Sequence, residues 1–268
     1  MTSYNLTAPL GYHQLSRRQV LFAARLFLAN LTQITFLTRA FCKFSGIKPI
    51  GHDKEGNQIF SHGKNILVVE NQQMLSLVKS QSYLLDVTLS KNNLPWIWIG
   101  IRRWFGPANK CYNLTLNEYL HAEAALYSFQ QSDKKQYLYR LCAVLYRPAG
   151  KGSSVSDERR AFDEYSYLKR SRWFRFVSPF KLMAILMFYN GCRSEWVKAF
   201  PYLFKSGVIS STPVFPVPDI KKMIRILCDG DVTKNKMLLN TPVWEAFEHL
   251  NDRASEINQQ KPVNNGKI

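Results

Sequence analysis

Apolar residues recur at helical spacing along most of the chain, and recognisable start and stop signals bound many of these runs. Ser16 and Gln19 form a capping box, so the pattern predicts a helix from near Arg17, and a second helix follows over 34–44 and ends at Gly46. Similar patterns, several with a proline at the start or a glycine at the end, predict helices over 72–89, 119–131, 137–146, 157–175, 180–190 and 220–228, a short helix after Asp231, and a longer one from Thr241-Pro242 to about 257.

Two stretches between these helices have strand character. Residues 53–57 predict a turn next to β-like runs at 58–60 and 66–69, and residues 95–101 combine aromatic and β-branched side chains. We therefore predict a mainly α fold in which helical hairpins form a bundle, with a small β-sheet around residues 58–105. An α+β arrangement is the alternative.

Composition shifts along the chain predict its domain organisation. Residues 1–205 are expected to form a helical domain with a β-like segment inserted at about 51–105. The proline-rich stretch 206–218 predicts an extended linker, residues 219–258 a C-terminal helical segment, and residues 259–268 a disordered tail.

The chain also contains an internal similarity, because Tyr4-Asn-Leu-Thr7 recurs as Tyr112-Asn-Leu-Thr115. Two apolar helical patterns follow each copy, and the first of them starts at a capping box, Ser16 with Gln19 or Thr115 with Glu118. This similarity suggests that 4–46 and 112–147 are duplicated helical hairpins. The alternative is that two amphipathic hairpins look alike by chance, since helical patterning is degenerate.

Charge narrows the choice of partner. The 268 residues include 36 Lys and Arg against 19 Asp and Glu, a net charge of +17, which favours an acidic partner such as nucleic acid, an anionic surface or an acidic protein. The apolar runs are too short to cross a bilayer, no secretory signal is visible at the start, and the five scattered cysteines are typical of reduced core thiols. We therefore expect a cytoplasmic protein.

Patterns that support catalysis or cofactor binding are weak throughout the chain. No histidine pair with zinc spacing and no phosphate-binding glycine motif occurs, and the glycine-rich stretch 150–154 is better explained as a flexible break. Three weaker hypotheses are a metal site at His52, Asp53 and His62, an acyl-transfer pair at Ser178 and Lys181, and a reactive thiol at Cys192. Each has a more ordinary structural explanation, so we predict a protein that is not an enzyme and binds no metal or cofactor.

Two segments combine aromatic rings with basic side chains. The first is the candidate partner-binding site, and consists of Trp96, Trp98, Arg102, Arg103, Trp104 and Phe105; the second contains Lys169, Arg170, Arg172, Trp173, Phe174 and Arg175. Such mixtures anchor protein interfaces, and they also stack bases and bind phosphates. We favour a protein interface, while rings in the core beneath a solvated charged face are the alternative, especially for the second segment.

Several further stretches resemble known sequences. The pattern His13-Gln-Leu-Ser16 with Gln19, then Phe36-Leu-Thr-Arg39 and Phe44-Ser-Gly-Ile-Lys-Pro49, is similar to small tail-region proteins of phages and prophages. The stretches 227–234 and 239–247 resemble the C-terminal helices of phage tail assembly chaperones. The +17 charge and the sheet around 58–105 depart from that pattern.

This resemblance implies a non-enzymatic morphogenesis factor in the bacterial host cytoplasm. Such a factor would bind a helical tape-measure protein and tail-tube subunits. A structural component of the head, neck or tail, a basic nucleic-acid-binding protein, and an enzyme with an unfamiliar site are the alternatives.

Overall fold

The computed structural model describes residues 6–86, 88–150, 157–204 and 231–259. Within these ranges the prediction of a mainly helical fold with a small β part is confirmed. The helices are α1 (Arg17–Leu28), α2 (Gln33–Ser45), α3 (Asn71–Lys79), α4 (Leu116–Ser132), α5 (Lys135–Leu145), α6 (Ser166–Ser171), α7 (Pro179–Ala199), α8 (Val232–Asn240) and α9 (Val243–Gln259). The strands are β1 (Lys48–His52), β2 (Gln58–His62), β3 (Asn65–Val69), β4 (Trp96–Ile99), β5 (Arg102–Phe105) and β6 (Arg147–Pro148).

The chain divides into two compact units, Met1–Asn93 with Ser178–Gly191, and Leu94–Val177 with Cys192–Ile268. The first unit contains α1 to α3, β1 to β3 and the first part of α7, and the second contains the remaining elements. The predicted linker 206–218 and tail 260–268 lie outside the described residues, as does the predicted helix 220–228.

The strand prediction was incomplete, because the described residues form two separate antiparallel sheets with the orders β1-β2-β3 and β4-β5-β6. β6 pairs with β5 from about forty residues further along the chain, at Trp104↔Pro148 and Phe105↔Arg147. A two-residue strand that contains a proline has almost no local signal, so only its tertiary pairing identifies it.

Two predicted helices are shorter than expected. The helix predicted over 72–89 ends at Lys79, where Ser80 donates its hydroxyl to the Leu77 carbonyl, and a short 3₁₀ helix follows at Ser82–Leu84. The helix predicted over 157–175 is replaced by an extended start, then α6, then a 3₁₀ helix at Arg172–Phe176. Its start is extended because Arg159 forms a β-bridge with Ala149.

Gly191 does not end a helix, as the sequence had suggested, because α7 continues through it to Ala199. An ideal Cβ at Gly191 would lie 2.2 Å from the backbone oxygen of Leu89. The glycine is therefore required by a close backbone approach inside the first unit, and not by a C-terminal cap.

The two predicted capping boxes differ in outcome. The Ser16 box is complete, since the Gln19 N–H donates to Ser16 Oγ and the Ser16 N–H donates to Gln19 Oε1 at 2.8 Å. In the second, the Glu118 N–H donates to Thr115 Oγ1, but the Glu118 carboxylate turns inward to accept from Arg147. A buried guanidinium is a stronger partner than a backbone amide, so the box is only half formed.

The predicted core thiols are confirmed for the four described cysteines, which are buried and unbridged: Cys42, Cys111, Cys142 and Cys192. The two stretches of the proposed duplication both fold as helix pairs, α1 with α2 and α4 with α5. Their common origin remains a hypothesis.

Candidate binding surface

The first basic-aromatic segment folds as a β-hairpin in the second unit. β4 and β5 pair in the register Trp96↔Phe105, Ile97↔Trp104, Trp98↔Arg103 and Ile99↔Arg102. Gly100 and Ile101 form the two-residue turn, and Gly100 has φ +57°, which only glycine adopts at little cost. Because side chains alternate along a strand, four residues share the outer side, which we call the hairpin face: Trp96, Trp98, Arg103 and Phe105.

On the hairpin face, the guanidinium of Arg103 lies against the indole rings of Trp96 and Trp98. The Arg103 guanidinium carbon lies 4.8 Å from the Trp96 ring centroid and 5.4 Å from that of Trp98. The two indole planes are nearly perpendicular, at 84°. Trp98 is 49% exposed, and Ile101 at the tip of the turn is 93% exposed. The hairpin thus presents an aromatic and cationic surface beside an exposed aliphatic tip.

Trp104 is not part of this surface, which corrects one of the predicted partner-binding residues. It points to the opposite side of the hairpin with Ile97 and is 5% exposed. There its ring meets that of Phe174 edge to face, at 5.5 Å between centroids. Arg102 lies on the same side of the strand as Trp104, but at the turn, where it remains exposed.

The second basic-aromatic segment therefore packs against the hairpin through the buried ring of Phe174. For Phe174 this agrees with the alternative prediction, in which the rings of the segment lie in the core beneath a solvated charged face. Its other ring, Trp173, is 53% exposed, and the neighbouring Phe176 is 65% exposed. The Arg175 guanidinium carbon lies 4.6 Å from the Phe176 ring centroid. Each segment thus buries one ring in the contact between them. Arg103 lies against the outer rings of the hairpin, and Arg175 lies against Phe176, which directly follows the second segment.

A buried network of charges lies next to the hairpin, and sequence analysis did not find it. Arg147, which pairs with Phe105 in the sheet, donates to Glu118 at 2.6 Å, and Arg159 donates to Asp157 at 2.9 Å. All four charged side chains are no more than 1% exposed. Two guanidinium groups and two carboxylates neutralise one another, so the network ties β6 to α4 and to the stretch 157–159 without leaving net buried charge.

The network also shifts the pKa values of its arginines. Burial lowers the pKa of Arg147, because removal from water disfavours the charged form. Burial acts in the same direction on Arg159, but the carboxylates of Glu118 and Asp157 outweigh it and raise the pKa of that guanidinium. Arg147 directly follows a long apolar run, and this was the only sign in the sequence that its charge would be buried.

The hypothetical metal site is not assembled. His52 and His62 lie at opposite ends of the β1–β2 ladder. Asp53 instead accepts hydrogen bonds from the Asn57 side chain and from the Asn57 and Glu55 N–H groups, which lower the pKa of its carboxyl group. Within the described ranges, no group of three or more His, Cys, Asp or Glu side chains could hold a metal ion.

The two nucleophile hypotheses also gain no support. Ser178 precedes α7, and its carbonyl accepts from the N–H groups of Lys181 and Leu182, while its buried hydroxyl makes no hydrogen bond to any described residue. Burial raises the pKa of the Cys192 thiol well above its ordinary value, and its hydrogen bond with Cys111 acts in the same direction. Cys192 is therefore not an activated thiolate. The glycine-rich stretch 150–154 lies largely outside the described residues.

Comparison of the chain with protein-family models, curated proteins and solved structures finds no match. In the described part of the chain, no helix combines the length and apolar character needed to cross a membrane.

Proposed function

We propose that this chain is a non-enzymatic binding protein that holds a protein partner through the hairpin face. The observation that carries the proposal is the half-exposed Trp98 beside Arg103, on a hairpin whose other side is anchored in the core by Trp104. Tryptophan and arginine are the residues that most often dominate binding energy at protein interfaces. A rigid support keeps the entropic cost of ordering such residues on binding low.

The hairpin exposes apolar area, and burial of that area against a partner would stabilise a complex. Trp98 and Ile101 both keep large apolar groups in water, where burial against a partner would be favourable by about 25 cal/mol for each Å² removed. Trp98 belongs to the hairpin face, Ile101 lies at the adjoining turn, and the Arg103 guanidinium adds polar specificity to this area.

The biological setting that we propose is phage tail morphogenesis, in which the chain would act as an assembly chaperone for a helical tape-measure protein and for tail-tube subunits, in the bacterial host cytoplasm. This part of the proposal rests on the resemblance of 13–49, 227–234 and 239–247 to tail-region proteins. A chaperone of this kind needs a surface that masks apolar side chains of its partner until assembly, and the hairpin face is of that type.

Co-expression with a tape-measure protein encoded in the same genome tests the proposal. We expect a complex that survives a change from about 50 to about 200 mM salt, because apolar burial is nearly insensitive to that change. Trp98→Ala should weaken the complex about tenfold or more. Trp173→Ala is the matched control, since Trp173 is equally exposed but lies outside the hairpin face. An unchanged complex with Trp98→Ala would remove the hairpin face from the proposal.

Single-stranded nucleic acid is the second candidate partner, and the observation that favours it is the distribution of acidic residues. No Asp or Glu occurs between Asp86 and Glu118, or between Glu164 and Glu195, so both basic-aromatic segments lie in acid-free stretches. An oligothymidylate of about 20 nucleotides tests this candidate. Binding that falls by about 10³ or more between about 50 and 200 mM salt would favour it over the protein partner.

A further inference from the structure

The chemistry of the partner can be read from the charges around Arg103, and this inference rests on the function proposed above. Arg103 is exposed, and among the residues that the structure describes neither it nor Arg102 forms an ion pair with a carboxylate. The segment that carries it has no acidic residue from 87 to 117. The positive charge of the hairpin face is therefore not neutralised by an ion pair among the described residues, and charge complementarity favours a partner that carries a negative group there.

The two indole rings hold Arg103 in a defined orientation. A guanidinium that lies against aromatic faces keeps its in-plane N–H groups available for other acceptors, and it loses less side-chain freedom when an acceptor arrives. The planar fork of those N–H groups matches the two oxygens of a carboxylate. Arg103 is in this respect a preformed receptor for one carboxylate.

The same geometry disfavours stacked bases. A base-binding surface needs accessible ring faces on which successive bases can lie, whereas Arg103 covers one face of Trp96 and of Trp98. The two indole planes are also nearly perpendicular, so they do not form a continuous platform. Phe176, which directly follows the second segment, is covered in a similar way by Arg175.

We infer that the hairpin face binds an acidic peptide segment of the protein partner, in which a Glu or Asp carboxylate pairs with Arg103 and neighbouring apolar side chains pack on Trp98 and Ile101. Arg103 is the specificity-determining residue of this interface. Trp98, which is paired with Arg103 across the hairpin, and Ile101 at the turn supply apolar contact near the ion pair, and burial of this area by the partner excludes water from the pair and strengthens it.

Fluorescence anisotropy with defined peptides tests this inference on the full chain. The probe is a labelled helical peptide of about 18 residues that contains Glu, Leu, Ala and one Phe, and its twin replaces every Glu with Gln. We expect the Glu peptide to bind at least about tenfold more tightly than the Gln twin at about 150 mM salt.

Arg103→Gln and Arg102→Gln provide a matched pair of variants, because the two arginines are adjacent and exposed but lie on opposite sides of the strand. Each variant removes one positive charge, so non-specific attraction falls equally in both. Arg103→Gln should weaken binding of the Glu peptide about tenfold, and Arg102→Gln less than about twofold. Arg103→Lys keeps the charge without the planar fork and should fall between them.

Equal effects of Arg103→Gln and Arg102→Gln would overturn the inference while leaving the proposed function intact, provided that Trp98→Ala still weakens the tape-measure complex. Tighter binding of an oligothymidylate than of the Glu peptide, with a selective loss in Arg103→Gln, would overturn it in favour of nucleic acid. A tape-measure protein that does not bind at all would contradict the proposed function, even if the Glu peptide and the matched variants behave as expected.

Discussion

Trp104 and Phe174 meet edge to face, with ring centroids 5.5 Å apart and ring planes at 87°. They are 5% and 0% exposed, and each is the buried ring of one basic-aromatic segment. The contact holds the hairpin and the 3₁₀ helix Arg172–Phe176 together while Trp98 and Trp173 remain outside. One pair of rings therefore decides which aromatic residues of two similar segments stabilise the fold and which are available for binding.

The buried ring of the hairpin should be needed for stability. Replacing Trp104 with Ala removes a large core side chain and its contact with Phe174, so we expect the free energy of unfolding to fall by about 3 to 5 kcal/mol. Urea denaturation followed by circular dichroism measures this change. Trp98→Ala is the control and should cost less than about 1 kcal/mol, because a half-exposed side chain leaves no cavity. Equal losses in the two variants would show that the hairpin does not have one inner and one outer side.

The buried charge network should be sensitive to the loss of a single carboxylate. Glu118→Gln leaves two buried guanidinium groups opposite only Asp157, and we expect a loss of about 3 to 5 kcal/mol in the free energy of unfolding. The comparison is Glu256→Gln, which breaks the exposed pair with Arg253 and should cost less than about 1 kcal/mol. Denaturant titration of both variants provides the measurement, and a mild effect of Glu118→Gln would mean that water reaches the network.

Gly191 should tolerate no side chain. In Gly191→Ala the new Cβ would clash with the backbone of Leu89, and a backbone atom cannot move aside as a flexible side chain can. We expect a loss of about 1 to 3 kcal/mol or more in stability, measured as a lower denaturation midpoint. Gly51→Ala is the matched control in the same unit, since no atom lies within 4 Å of its ideal Cβ. A stable Gly191→Ala variant would show that α7 and Leu89 are further apart than described.

Two neighbouring tyrosines of the first unit should make its stability sensitive to alkaline pH. Burial raises the pKa of Tyr83 to about 12 from its ordinary value of 10.0, and burial likewise raises the pKa of Tyr12, whose hydroxyl donates to the Leu84 carbonyl. The folded state therefore resists losing a proton that the unfolded chain releases near pH 10.0. Stability is fully present below that pH and is lost as the pH rises toward about 12.

Urea denaturation at pH values of about 8 and about 11 measures this loss, and tyrosinate absorbance reports the ionisation. Tyr83→Phe should make the alkaline loss smaller, because the residue that resists ionisation is gone. Tyr127→Phe, at an exposed tyrosine, serves as the comparison and should leave the loss unchanged. An alkaline loss identical in both variants would contradict the assignment to Tyr83.

Features that depend on neighbouring residues were predictable from sequence. The Ser16 capping box, the helix after Asp231 and the strand character of 95–101 all follow from side chains that act within one turn or one strand. The Asp231 carboxylate accepts from the N–H groups of Thr233 and Lys234, a contact that needs no other part of the chain. Local hydrogen bonding and side-chain shape suffice for such elements.

The tertiary structure decided which members of the predicted binding segment face solvent. The alternation of a strand separates Trp98 and Arg103 from Trp104, but only the contact with Phe174 determines which of the two sides is buried. The tertiary structure also decided that the Glu118 carboxylate accepts from Arg147 and not from the backbone of its capping box, and that Gly191 lies against the backbone of Leu89. The spacing of apolar residues in the sequence indicates the period of a helix or strand. Which rings are buried and which charges pair depends on distances between residues that are far apart in the chain, and only the folded backbone sets those distances.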